Sequence, residues 1–281
     1  MPPQHERGAG PRRPGLPARR RWGQNFLANP ETAEKIVAAA RVDRDDTVLE
    51  IGPGDGALTR PLVKTGARVV AVEIDPLRAR ALQTELAGEP RVRVLQGDVL
   101  ARPIAEWLAE ADAPPSAAVL VANLPYNVAT PILTAALDAP ETIRRSVATV
   151  QREVARRFVA RPGEDGYGYL SVRAAARAAG RILFDLPPGA FRPRPKVHSS
   201  VLELVPRTDP PDPELARRAL CLASLGFNAR RKTLANALSS AAPRAFWEEA
   251  LLGLGRDPRT RAEELSLDDF LALARWWKPL E

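Results

Sequence analysis

From Asp46 to about Val150, short apolar runs alternate with amphipathic stretches. The runs T-V-L-E-I (47–51), R-V-V-A-V-E-I (68–74), V-R-V-L (92–95), A-A-V-L-V-A (117–122) and S-V-A-T-V (146–150) are rich in β-branched residues and nearly continuous in apolar character. Between them, A-L-T-R-P-L-V-K (57–64) and P-L-R-A-R-A-L-Q-T-E-L (76–86) repeat their apolar positions at helical spacing. Continuous apolar strands separated by helices predict a parallel sheet covered on both faces. Two later runs, R-I-L-F-D-L (181–186) and S-S-V-L-E-L (199–204), have little helix between them and predict an antiparallel addition at the sheet edge. The prolines of R-T-D-P-P-D-P (207–213) disfavour regular structure and predict a rigid linker. Beyond it the pattern is helical, with Ser266 a candidate N-cap before L-D-D-F-L-A-L-A. The expected organisation is an arm over 1–21, an α/β body over 22–206 and a small helical domain over 207–281.

The arm, M-P-P-Q-H-E-R-G-A-G-P-R-R-P-G-L-P-A-R-R-R, holds proline, glycine and arginine without the apolar segment of a secretory signal, which predicts a disordered basic arm, either a tether for RNA or a mere extension. No run approaches the length needed to span a membrane. The single cysteine, Cys221, excludes an internal disulfide and fits a reducing cytoplasm. With two histidines, His5 and His198, and that one thiol, no His/Cys metal cluster can be assembled. The chain carries a net charge of +7. A GC-rich coding bias would enrich arginine, and so would a polyanionic partner. Outside the arm the cations gather at R-E-V-A-R-R (152–157), F-R-P-R-P-K (191–196) and R-R-K (230–232). Separated clusters of this kind suit an extended groove for nucleic acid.

Candidate chemistry lies at the strand ends. The first strand runs into E-I-G-P-G-D-G (50–56), where Gly52, Gly54 and Gly56 permit a sharp turn and close approach of a ligand. The second ends in Glu73, followed by Asp75, and a carboxylate there can accept both hydroxyls of a ribose; the third is followed by Gly97 and Asp98, where an adenine amine could be read. A dinucleotide site wants G-x-G-x-x-G and a pyrophosphate at the helix start. Here the spacing is G-x-G-x-G, and both Glu50 and Asp55 would oppose a phosphate, whereas a cationic adenosyl sulfonium meets no such penalty. S-adenosylmethionine is the expected cofactor. An NAD-dependent dehydrogenase is the rival from another enzyme class, but no histidine or lysine acid–base candidate lies near these strand ends.

The fourth strand stops at Asn123-Leu124-Pro125-Tyr126. Beside a methyl donor, the Asn123 side-chain oxygen and the Leu124 carbonyl could accept both N–H bonds of an adenine N6 amine. Its lone pair would then turn toward the methyl carbon. Pro125 restricts Leu124 to an extended conformation. Tyr126 offers a face for base stacking, worth about 1–3 kcal/mol.

These motifs, together with W-G-Q-N-F-L (22–27), V-E-I-D, G-D-V-L, Q-R-E-V-A-R-R-F-V-A-R-P-G (151–163), Y-G-Y-L-S-V (167–172), F-R-P-R-P-K-V-H-S-S-V (191–201) and F-N-A-R-R-K-T-L-A-N-A-L (227–238), occur in one order. The chain so resembles the small-subunit ribosomal RNA adenine N6,N6-dimethyltransferases of the KsgA type. Trp22 stands at an ordinarily variable place, and His198 replaces a usual acidic residue. The resemblance implies a Rossmann-like class I methyltransferase with a mostly parallel seven-stranded sheet, plus a small C-terminal all-helical domain. It implies cofactor contacts at Asn25, Leu27, Gly52, Gly54, Glu73, Asp98 and Asn123, and catalytic positions from Asn123 to Tyr126, with Phe191 as the second wall of the base pocket. RNA contacts are expected at Arg152, Arg156, Arg192, Arg194 and Lys196, and at Arg230, Arg231 and Lys232, these last on a helix that packs Phe227 and Leu234 inward. The implied reaction places two methyl groups on each of two adjacent adenosines in the 3′-terminal hairpin of small-subunit RNA. The implied partner is that RNA or an immature small subunit, met by a cytoplasmic monomer. The alternatives are the same chemistry on large-subunit RNA, as in Erm-type enzymes, and a non-catalytic assembly factor.

Overall fold

A computed structural model describes residues 25–114 and 117–277. The expected arm, 1–21, and Trp22 lie outside the described residues. The chain opens with a two-residue strand, β1 (Phe26–Leu27), and helix α1 (Pro30–Ala40). Alternating strands and helices follow: β2 (Thr47–Ile51), α2 (Thr59–Lys64), β3 (Arg68–Glu73), α3 (Pro76–Glu85), β4 (Val92–Gln96), α4 (Ile104–Glu110), β5 (Ala118–Asn123), α5 (Ala129–Leu137) and β6 (Ile143–Gln151). Then come α6 (Arg152–Val159), α7 (Tyr169–Arg177), β7 (Ala178–Leu186), β8 (Phe191–Arg192) and β9 (Ser199–Pro206).

The main sheet has the order β4-β3-β2-β5-β6-β9-β7. β2 to β6 pair in parallel, while β9 inserts antiparallel between β6 and β7. Successive strand side chains point to opposite faces, so each strand supplies two cores. Val48, Val69, Ala71, Val119, Val121 and Val147 share one buried cluster with Ile36 of α1, Leu62 of α2 and Leu82 of α3. Leu49, Ile51, Val70, Val72, Leu120 and Ala122 join Trp107 of α4, Leu133 of α5 and Phe158 of α6 in the other. This double burial is why the parallel runs show little alternation of apolar and polar residues.

Strand order reverses between β3 and β5, with β2 in the middle, and ligands of such sheets bind beyond the carboxyl ends of strands at that point. Gly97 lies just past β4 there, with Trp107 against it. A Cβ on residue 97 would fall 2.3 Å from Trp107 Cη2. The indole is held by its own bond to the Val99 carbonyl, 3.2 Å. Gly97→Ala is therefore expected to destabilise by about 1–3 kcal/mol, read as a lowered midpoint of thermal unfolding. An unchanged midpoint would show that the ring yields freely.

After Pro206 the linker leads to α8 (Pro213–Asn228), capped by the Asp212 side chain on the Leu215 N–H at 2.9 Å. Helices α9 (Leu234–Ala237), α10 (Arg244–Gly253) and α11 (Leu267–Trp276) follow, and Ser266 caps α11 as its sequence predicts. They close a third core around Trp247 and Phe270 that also takes in Tyr167 and Val172 from the region of α7. One expectation changes. Arg230, Arg231 and Lys232 do not ride on a helix: α8 ends at Asn228, and these residues form the turn before α9. The Leu234 N–H bonds the Thr260 carbonyl at 2.8 Å, a long-range bond that replaces the helical one.

Candidate active site and nucleic-acid interface

The glycine loop after β2 adopts the left-handed backbone its sequence predicts. Gly52 has φ +68° and Gly54 φ +58°. The Gly54 N–H donates to Glu73 Oε2 at 2.9 Å, and the Asp75 N–H donates to Oε1, also at 2.9 Å. Glu73 thus stands fixed at the end of β3, each oxygen keeping a lone pair for a ribose hydroxyl. Burial raises its pKa.

Glu50, on the adjacent strand β2, is 1 % exposed. Burial first, and the neighbouring Glu73 charge with it, push its carboxyl up to about 8 against the bond from Thr59. Its Oε2 has no hydrogen-bond partner among the described residues. Two adjacent buried carboxyl groups, one with an orphaned oxygen and a proton that a nearby cation would draw off, fit a ligand that brings positive charge. Beside them lies a narrow, mainly apolar slot lined by Ile74, Val99, Leu100 and Pro125, with exposed Asp98 at its edge. Asp98 also caps the turn after β4 through the Leu100 N–H, 3.0 Å. A flat purine fits the slot, and its amine would meet Asp98. The residues present therefore fit S-adenosylmethionine: cationic at one end and a planar base at the other.

Asp55 is not a bare charge in the loop, because the fully buried Arg78 side chain pairs with it. It would oppose a phosphate far less than its sequence suggests, and the preference for a sulfonium rests on Glu50 and Glu73 instead.

At the end of β5, Asn123 donates its Nδ2 to the Asn25 carbonyl at 2.8 Å. A carbonyl only accepts, so the amide nitrogen must face Asn25 and Oδ1 must face the other way. Leu124 is buried, its N–H held by the Thr149 carbonyl at 3.1 Å. Pro125 sits against Gly52, where a Cβ would come within 3.8 Å of its Cδ. Tyr126 is half-buried, and its hydroxyl shares a 2.6 Å hydrogen bond with the Ser199 hydroxyl. Burial raises the phenol pKa, so the group stays neutral. The four residues are thus anchored one by one to Asn25 just before β1, to β6, to the glycine loop and to β9.

Other expected residues fall elsewhere. Asn25 reaches the site through its main chain. Leu27 packs into the core beside α1 rather than into the slot. Phe191 is completely buried, paired with Leu27 across the β1–β8 ribbon and packed with Leu186 and Val201. It presents no open face to a base, because the short ribbon carries it inward while the neighbouring Arg192 stays exposed.

A cavity of about 930 Å³ opens beside Gln151, which pairs with Ser199 and so adjoins the Tyr126 anchor. Its lining brings together Arg152, Arg156, Lys196 and Arg230 from three separate sequence clusters, and adds Arg157. Glu153 and Asp165 are the acids on the wall, so cations predominate, and Tyr169 and Phe227 supply aromatic surface. Arg230 is steadied by the Tyr167 carbonyl, 2.8 Å. Arg192, Arg194, Arg231 and Lys232 are exposed but lie outside this lining. His198 gives its main-chain carbonyl to the Arg152 N–H at 3.0 Å. Sequence reasoning missed Ser199, Arg157 and Arg78. A cation at position 78, four residues before the inward-facing Leu82, was the available signal for the last. Among the described residues no group of His, Cys, Asp and Glu could hold a metal ion.

The pattern of a family described as ribosomal RNA adenine dimethylase matches residues 15–278. A protein of Synechococcus sp. (strain JA-3-3Ab), named ribosomal RNA small subunit methyltransferase A, is 43% identical over 267 residues, 91% of each chain. One of the same name from Methylococcus capsulatus is 40% identical over 261 residues, 93% of this chain and 98% of its own. Among solved structures, the 23S rRNA methyltransferase ErmE superposes with a TM-score of 0.71 at 28% identity, over 90% of this chain and 99% of the other. A dimethyladenosine transferase from Plasmodium falciparum gives 0.72 at 23% identity, over 88% and 95%, and shares the fold.

Proposed function

The chain belongs to the ribosomal RNA adenine dimethylase family, and from that premise we propose that it methylates the N6 amines of two adjacent adenosines in the 3′-terminal hairpin of small-subunit ribosomal RNA. The fold is that of a Rossmann-like class I methyltransferase. The observation that carries the proposal is the Asn123–Asn25 hydrogen bond, which leaves the amide oxygen at the carboxyl end of β5 as an acceptor.

S-adenosylmethionine, held by Glu73, Asp98 and the glycine loop, supplies a methyl group activated by its sulfonium. The chain does the rest. Asn123 Oδ1 and the Leu124 carbonyl accept the two amine hydrogens and localise a lone pair otherwise spread into the ring. Tyr126 stacks the base, and its bond to Ser199 keeps the ring from swinging away. No strong base is needed, since the extra proton departs after transfer. Alignment of two bound reactants provides most of the acceleration. Phe191 supports the site from the core in the state described, and a role as second wall requires the β1–β8 ribbon to shift.

The cationic cavity next to Gln151 receives the RNA backbone, and residues 207–281 act as the target-recognition domain. The substrate is the small-subunit RNA, free or in an immature subunit, met by a cytoplasmic monomer. No described helix is long and apolar enough to cross a membrane. Reversing charge at Arg156 and Lys196 together is expected to weaken RNA binding and to lower the slope of log K against log salt by about one to two. An unchanged slope would place the backbone elsewhere.

The reading is tested by incubating the protein with radiolabelled S-adenosylmethionine and undermethylated ribosomal subunits, then mapping the labelled nucleotides. Label on two neighbouring adenosines of small-subunit RNA is expected. Label on large-subunit RNA would place the chain with the Erm-type enzymes, and binding without label would make it an assembly factor.

A further inference from the structure

Arg78 is among the largest fully buried side chains of the molecule, and nothing in the proposed chemistry uses it. It projects from the first turn of α3. Its guanidinium pairs with Asp55 in the glycine loop and lies 3.8 Å from Asp75. The guanidinium carbon also sits 4.2 Å from the centre of the Phe26 ring, a cation–π stack. The ring packs on the α-carbon of Gly54: a Cβ on residue 54 would lie 2.7 Å from Phe26 Cε1. One residue earlier, the Asn25 carbonyl holds Asn123. One residue later, Leu27 pairs with Phe191.

These contacts form a closed circuit. Gly54 and Asp75 are tied to Glu73, Asp55 and Asp75 are tied to Arg78, and Arg78 is stacked on Phe26. The segment 25–27 therefore lies across the glycine loop with a buried cation fastening it there. A buried arginine is tolerated only when its charge and donors are met. Here a loop acid, Asp55, and the aromatic face of Phe26 meet the guanidinium from two different parts of the donor site.

We propose that Arg78 is a positioning residue: with Phe26 it clamps the segment 25–27 over the donor site and so links binding of S-adenosylmethionine to the orientation of Asn123. The clamp rests on the reading of the glycine loop as the donor site. Removing it loosens the Asn25 carbonyl, and Asn123 then samples rotamers in which Oδ1 no longer faces the amine.

The test uses the full chain with Arg78→Met, which keeps the buried stem and removes the guanidinium, Arg78→Lys, Phe26→Leu, and the Arg78→Met/Phe26→Leu double variant. Titration calorimetry with S-adenosylhomocysteine is expected to show Arg78→Met and Phe26→Leu each weaker by about tenfold. The double variant should be no weaker than the worse single one, because each change opens the same clamp. Amide exchange should speed up at residues 25–27 and in the 52–56 loop while the protection of β5 and β6 is unchanged. At saturating donor, kcat should fall too, with Arg78→Lys recovering part of it. If Arg78→Met does not fold, Phe26→Leu decides, since it leaves the Arg78–Asp55 pair in place. Wild-type affinity in both single variants overturns the clamp, as does simple multiplication of the two losses. A wild type that does not bind S-adenosylhomocysteine overturns the donor reading and the clamp with it.

Discussion

Asn123→Ala is expected to bind S-adenosylmethionine within a few-fold of the wild type, yet to lose methyl transfer by roughly three orders of magnitude or more. In the proposed function Glu73, the glycine loop and the apolar slot hold the donor, and Asn123 builds none of them. What alanine removes is the side-chain oxygen that the Asn25 bond turns away from Asn25, the acceptor proposed for the amine. Asn123→Asp separates two explanations. It keeps an acceptor but sets a carboxylate against the Asn25 carbonyl, so it should remain well below wild type if the aim of Oδ1 matters. Single-turnover rates with saturating donor and RNA provide the measurement. Near-full activity in Asn123→Ala would remove the mechanism.

Glu50→Gln is expected to stabilise the donor-free protein at alkaline pH while weakening its grip on the donor. The wild-type carboxyl has its pKa raised from 4.5 to about 8, chiefly by burial. Below the lower value, folded and unfolded chains both hold the proton. Between the two values only the folded chain keeps it, so folding stability falls as pH rises, by at most about 1.4 kcal/mol per unit. Above about pH 8 the full penalty, on the order of a few kcal/mol, is in place. Glutamine does not titrate, so the thermal midpoint of Glu50→Gln should pull ahead of wild type from pH 5 to 8 and then run parallel to it. Binding has the opposite sense. A cationic donor favours the ionised carboxylate, so wild-type affinity should climb toward pH 8 and level off. The glutamine variant should bind more weakly and lose that rise. Equal affinity in the two proteins across this range would show that Glu50 does not face the donor.

Both outcomes turn on features of different legibility. The strands could be read directly, because burial on two faces leaves a compositional mark on five consecutive residues such as Thr47–Ile51. Glycine spacing announced a left-handed loop, since φ at Gly52 and Gly54 is a local property. Asn123 stood out for the same reason: an apolar strand ends there in an amide, a proline and a phenol. Against this, the turn at Arg230–Lys232 was misread as helix because the bond that breaks the helix comes from Thr260, well down the chain. The wall role of Phe191 comes from the family resemblance, whereas its pairing with Leu27, invisible in the local sequence, buries it in the state described. The Asp55 charge is bare in the local sequence, because its partner Arg78 lies 23 residues later.

The amino-acid sequence alone determined the α/β alternation, the glycine loop, the acids at the strand ends and the Asn-Leu-Pro-Tyr terminus of β5, all set by backbone preferences and by patterns a few residues long. Only the tertiary structure decided which way the Asn123 amide points, which cations share a cavity, and what fastens residues 25–27 over the loop. Those depend on partners such as Asn25 and Asn123, 98 residues apart. No periodicity records such a meeting, because it comes from the order in which the strands assemble and the side of the sheet on which each loop emerges.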